Sequence, residues 1–126
     1  MSTQGEAEVA SRRVCRLEDI LPNGGVCALV EGQQVAIFRL DDDRVFALGN
    51  RDPFSGANVL SRGIVGDLKG ELVVASPVYK QHFSLLTGRC IEDETVTVPV
   101  YGVTVRGAEV LIETNAVHTP HNNGEK

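Results

Sequence analysis

Cysteine is scarce in this chain, with only Cys15, Cys27 and Cys90. An odd count at wide separations, with no histidine close by in sequence, fits neither a disulfide framework nor a zinc or iron–sulfur ligand pattern. Free thiols buried as small apolar groups are the expectation. Long apolar runs are missing too. No stretch approaches the roughly 18 residues of a membrane span, and residues 1–11 hold no apolar segment of the kind a signal peptide needs. A soluble, cytoplasmic protein is expected. Basic residues are in deficit, 12 Lys and Arg against 17 Asp and Glu, for a formal charge of −5. That balance argues against nucleic acid or anionic lipid as the partner. There is also no glycine-rich phosphate loop with a lysine, no nucleophile elbow and no His–carboxylate pair at a motif spacing. Ser76 and Ser84 have no identifiable base, and no catalytic residue is proposed.

The 126 residues are the length of one domain, and with 42% hydrophobic residues they can bury a core unaided. Short runs rich in Val, Ile and Phe predict strands over residues 25–30, 34–39, 44–48, 71–75, 96–100, 102–106 and 109–113, with a weaker one at 14–17. Turn signals fall at Glu31-Gly32, across Asp41, Asp42 and Asp43, and at Gly107-Ala108. A short helical turn follows Leu17 and ends at Pro22. No internal repeat is visible. The pattern is that of an all-β sandwich or small barrel spanning 12–113, between polar tails at 1–11 and 114–126 expected to be disordered. The aspartate run lacks the spaced donors of a calcium loop and reads as a solvated turn.

Two segments are too long for tight turns: NRDPFSGANVLSRG at 50–63 and ASPVYKQHFSLLTGR at 75–89. Leu60, Ser61 and Gly63 in the first, and Pro77, Phe83, Thr87 and Gly88 in the second, resemble the two cluster-binding loops of the Rieske iron–sulfur family. That resemblance implies a Rieske-like fold. Carried over by position, the four ligand places of the family fall on Asp52, Phe54, Ser76 and Tyr79. Two thiolates and two imidazoles are required there, and none of the four supplies either. The resemblance therefore implies a scaffold that carries no cluster, metal or other cofactor of its own.

The DPF and ASP-x-x-x-Q-x-F loops, with ILPNGGVCALV, QVAIFR and VLSRGIV, resemble one branch of that family, the small subunits of NAD(P)H-dependent nitrite reductase. The branch implies a non-catalytic subunit in nitrate assimilation. Its partner is a large subunit bearing FAD, siroheme and an iron–sulfur cluster, which reduces nitrite to ammonia. A Rieske-type ferredoxin and a stand-alone interaction module are the alternatives, and the missing ligands argue against the first.

Two readings are open for the aromatic residues. Either Phe54 and Tyr79 pack against each other across the loops, or both project as anchors for the partner. The loop residues Arg51, Pro53, Phe54, Pro77, Tyr79 and Lys80 are the predicted partner-binding set, with Arg62 and Arg89 adding positive charge. A mononuclear site from Asp52, Tyr79 and His82, or a tail pair His118 and His121, is a much weaker candidate than turn-forming and packed or surface roles for those residues.

Overall fold

The computed structural model describes residues 10–118 and builds them into nine strands. These are β1 Ser11–Arg16, β2 Gly24–Val30, β3 Gln33–Arg39, β4 Val45–Gly49, β5 Ile64–Leu68, β6 Glu71–Ala75, β7 His82–Ser84, β8 Val100–Arg106 and β9 Glu109–His118. The first sheet is antiparallel in the order β1-β9-β8-β4-β3-β2, and the second in the order β5-β6-β7. The outer strands of the large sheet approach each other, and the Arg12 Nε donates to Glu31 Oε2 at 2.7 Å near the β2–β3 turn. The large sheet is thus nearly closed into a barrel.

The all-β, Rieske-like architecture expected from the residues is what forms, with differences in detail. The expected strand at 96–100 is an irregular segment, bridged to Arg89 at Thr97 and accepting the Gly49 N–H at the Pro99 carbonyl at 2.9 Å, and β8 begins at Val100. Alternating Val96, Val98 and Val100 gave the strand signal, but they face the interior from an extended loop. β5 and β7 were not foreseen. At the C-terminal end, β9 continues past Glu113 to His118, where it pairs with Val100, so residues 114–118 are part of the sheet. Of the two tails, 1–9 and 119–126 lie outside the described residues, as does His121.

Local chemistry explains the turns. Glu31 and Gly32 take φ of 49° and 80°, and Lys69 and Gly70 take 53° and 88°. Both are two-residue hairpin turns whose twist matches the flanking strands. A single 3-10 turn at Leu17–Asp19 follows β1, with the Asp19 carboxylate accepting the Arg16 N–H at 2.8 Å.

β3 organises the core. Val35 and Ile37 point into the barrel with Ile20, Val30, Ala47, Val110 and Ile112. Ala36 and Phe38 point the other way, toward Leu48, Leu60, Val74, Phe83 and Leu85. A strand covered on both faces needs a continuous apolar run rather than alternation, which is why Val35-Ala36-Ile37-Phe38 is unbroken.

β4 pairs directly with β8, Ala47 opposite Tyr101 and Leu48 opposite Val100. Everything between them, residues 50–99, is one excursion from the barrel that carries the small sheet and both long loops. Its inner face, through Val65, Leu72, Val74 and Phe83, seals the second core.

Candidate functional site: two loops joined without a metal

The excursion uses one backbone device three times, at residues 52–57 and 76–81 at its tip and at 84–89 beyond the other end of β7. In each six-residue loop the first carbonyl accepts the fifth N–H: Gly56 to Asp52 at 2.7 Å, Lys80 to Ser76 at 3.1 Å and Gly88 to Ser84 at 2.8 Å. The first N–H donates to the sixth carbonyl: Asp52 to Ala57 at 2.8 Å, Ser76 to Gln81 at 2.9 Å and Ser84 to Arg89 at 2.9 Å. The fifth residue is left-handed each time, with φ of 79° at Gly56, 68° at Lys80 and 77° at Gly88. The first side-chain oxygen accepts the third N–H, from Phe54 at 2.8 Å, Val78 at 3.3 Å and Leu86 at 3.2 Å. Asp and Ser are the residue types whose short oxygens make such local bonds. Asp52, Ser76 and Ser84 are all fully buried.

Pro53 and Pro77 occupy the second place of their loops, where no N–H is required and a fixed φ helps the turn. The repeat leaves no trace as a sequence period, because only the oxygen-bearing first residue and the left-handed fifth are shared.

The first two loops are stitched together directly. The Ser76 hydroxyl donates to Asp52 Oδ2 at 2.5 Å. Asp52 Oδ1 meanwhile accepts the Phe54 N–H at 2.8 Å and the Ser55 N–H at 3.4 Å. Two of the four places that the resemblance assigns to family ligands are therefore bonded to each other.

The other two positions separate. Phe54 is half-buried and packs on Phe83, ring centroids 6.2 Å apart with planes tilted by 45°. Tyr79 remains 60% exposed beside Val78 at 41%. The aromatic residues thus follow neither expected pattern: they are not paired with each other, and only Tyr79 projects. Phe83, a scaffold residue of the second loop, takes the place as Phe54's partner.

This donor set does not fit a [2Fe–2S] group. Two thiolates are needed on one iron and two imidazoles on the other. The structure offers a carboxylate and a hydroxyl consumed by their own hydrogen bonds, a phenyl ring in the core and an exposed phenol. Nor do Asp52, Tyr79 and His82 converge: His82 Nδ1 lies 2.6 Å from Glu92 Oε2, while its backbone N–H donates to Glu92 Oε1 at 2.8 Å. Among the described residues, no three His, Cys, Asp or Glu side chains gather as a metal site. Burial raises the Glu92 carboxyl, but the His82 N–H and ring outweigh it and hold the group below its ordinary value.

The cysteines depart from the expectation as well. Cys90 is buried, Cys15 is half-buried and Cys27 is exposed on β2. Desolvation nevertheless raises all three thiols.

Most arginines of the barrel have a carboxylate within reach, although the exposed Arg106 on β8 has none among the described residues. Arg12, Arg13, Arg16, Arg39 and Arg44 each lie within 4.0 Å of a carboxylate. On the excursion, Arg51, Arg62, Lys80 and Arg89 are exposed and have no such partner among the described residues. Of the predicted partner-binding set, Arg51, Pro53, Pro77, Tyr79 and Lys80 lie on the surface, whereas Phe54 is half-buried against Phe83.

A nearly closed six-stranded barrel carrying a three-stranded excursion with two crossing loops defines a Rieske-like domain, here closed by hydrogen bonds at its tip. The model of the Rieske-like [2Fe-2S] domain family matches residues 11–113. A nitrite reductase (NADH) small subunit of Salmonella typhimurium is 51% identical over 102 residues, covering 80% of this chain and 94% of that one. The solution structure of a nitrite reductase [NAD(P)H] small subunit from Erwinia carotovora is 46% identical, with a TM-score of 0.73 over 92% of this chain and 90% of that one. The chain belongs to this family of nitrite reductase small subunits. A nitrite reductase [NAD(P)H] large subunit of Klebsiella oxytoca contains a matching segment too, 40% identical over 114 residues, which is 88% of this chain but 12% of that one. No helix among the described residues is long and apolar enough to cross a membrane.

Proposed function

We propose that this chain is the non-catalytic small subunit of a cytoplasmic NAD(P)H-dependent nitrite reductase, bound to a large subunit that holds FAD, siroheme and an iron–sulfur cluster and converts nitrite to ammonia. In this reading the chain itself carries no cofactor. The observation that bears it is the Asp52–Ser76 hydrogen bond, which uses up the positions that would take metal and leaves the tip as a surface. The Klebsiella relative supports the partnership, since a similar segment there is part of a large-subunit chain. Aromatic and arginine residues framed by polar groups suit an interface core. The docking face in this reading is Arg51, Pro53, Pro77, Tyr79 and Lys80, with Phe54 half-buried against Phe83.

The test is co-purification with the large subunit, followed by NAD(P)H-dependent nitrite reduction with and without the small chain. A stable complex whose activity or stability depends on the small chain is expected. Absence of a complex at micromolar concentrations, with large-subunit activity unaffected by the chain, would overturn the reading.

A further inference from the structure

Beside the tip runs an open groove of about 440 Å³ between the β2–β3 turn, the end of β4 and the start of β8. The size falls within the range of ligand clefts, about 300–1,000 Å³. In a chain of net charge −5, its lining contains no acidic residue. Gln33, Gln34, Asn50, Arg51, Asn58 and Tyr101 supply most of its polar groups. Glu31, the acid next in sequence to the lining, is already engaged by Arg12.

The hydrogen-bond chain along one wall decides what the groove offers. The Ser61 N–H donates to Asn50 Oδ1 at 2.8 Å, which leaves Asn50 Nδ2 to donate to Gln34 Oε1 at 3.1 Å. The Cys27 thiol donates to the same Gln34 oxygen at 3.5 Å. The acceptor of Gln34 is spent, and what remains on this exposed side chain is its NH2 donor pair. Arg51 adds a guanidinium without a carboxylate partner among the described residues, on backbone pinned by its bridge to Asn58. The groove is thus rich in donors, carries one fork-shaped cation and has no competing anion, a combination suited to a carboxylate held by Arg in a two-point contact.

We infer that this groove seats an acidic segment of the large subunit, with a carboxylate held between Arg51 and the Gln34 amide. The inference rests on the small-subunit reading and extends its docking face from Arg51 into a polar groove.

Two variants and one control test it by calorimetry of the full chain against the large subunit. Gln34→Glu keeps an oxygen for Asn50 but turns the remaining donor into a negative charge. Arg51→Ala removes the cation, and Arg106→Ala removes an exposed cation at the far end of β8 that does not line the groove. Both groove variants are expected to weaken binding at least tenfold and to reduce its salt dependence, with Arg106→Ala within twofold of the parent. Equal binding by all four proteins overturns the inference while leaving the small-subunit reading intact. If the parent chain does not bind at all, both fall together. Two further outcomes overturn the inference by naming another occupant, both read from the amide signals of Gly32, Gln33 and Asn58 in the isolated chain. Saturation by millimolar sodium acetate would mark a free small-anion site, and a shift on deletion of residues 119–126 would mark the chain's own tail.

Discussion

Ser76 and Asp52 lie 24 residues apart on two different loops, yet the serine hydroxyl donates to the aspartate at 2.5 Å with both side chains fully buried. A buried polar atom deprived of its partner loses the bond and retains its desolvation penalty, about 1–3 kcal/mol. Ser76→Ala is expected to lower unfolding stability by that amount in denaturant titrations. Asp52→Ala should cost more, because it also strips the acceptor from the Phe54 and Ser55 N–H groups. The double variant should be clearly less destabilised than the sum of the two, as befits residues in direct contact. Strict additivity would show that the two loops are held by something else.

Phe54 and Tyr79 are expected to behave oppositely. Phe54→Ala opens the contact with Phe83 and should destabilise the fold by about 2 kcal/mol, less than the full cost for a completely enclosed phenylalanine. Tyr79→Ala should leave stability within about 0.5 kcal/mol and instead weaken large-subunit binding by more than about 1 kcal/mol. Thermal melts paired with calorimetry separate the two effects, and equal losses of stability in both variants would contradict the packing described.

The three left-handed positions make a graded series. At Gly88 an added Cβ would collide with the Val98 carbonyl, on top of a φ of 77°. Gly88→Ala should therefore destabilise by well over 1 kcal/mol. Gly56→Ala meets only the flexible end of Arg51 and should cost about 1 kcal/mol, the penalty for a left-handed alanine. Lys80 already bears that penalty. Lys80→Gly should leave stability unchanged or improve it slightly, while removing a tip cation.

Glu92 provides a pH signature. Its carboxyl is held below the ordinary value in the folded chain, chiefly because the His82 contacts outweigh burial. A depressed carboxyl contributes stability above its unfolded value, and that contribution disappears as the pH falls through the folded one. Stability measured from pH 6 downward should accordingly fall less steeply in Glu92→Gln than in the parent. Parallel profiles would show that the His82–Glu92 contact has no weight in solution.

Much of this was legible beforehand, and the misses have physical causes. β2, β3, β4 and β6 announce themselves through Val, Ile and Phe. β5 hides because Gly66 and Asp67 interrupt a five-residue strand, and β7 is only three residues long. The resemblance singled out Asp52 and Ser76, but nothing in the sequence says that one oxygen reaches the other across 24 residues. The choice of Phe83 rather than Tyr79 as Phe54's neighbour depends on which loop positions turn inward, and that follows from a backbone device with no sequence period. The groove was missed altogether, since its walls come from three separate parts of the chain.

The excursion at 50–99 begins and ends on adjacent, hydrogen-bonded strands of the barrel. The junction is therefore the same whatever the loops between carry. A change of tip chemistry, such as loss of the Asp52–Ser76 hydroxyl–carboxylate pair, is expected to leave the closure of β4 on β8 untouched. In mechanical terms the barrel is a mount and the excursion a head set upon it.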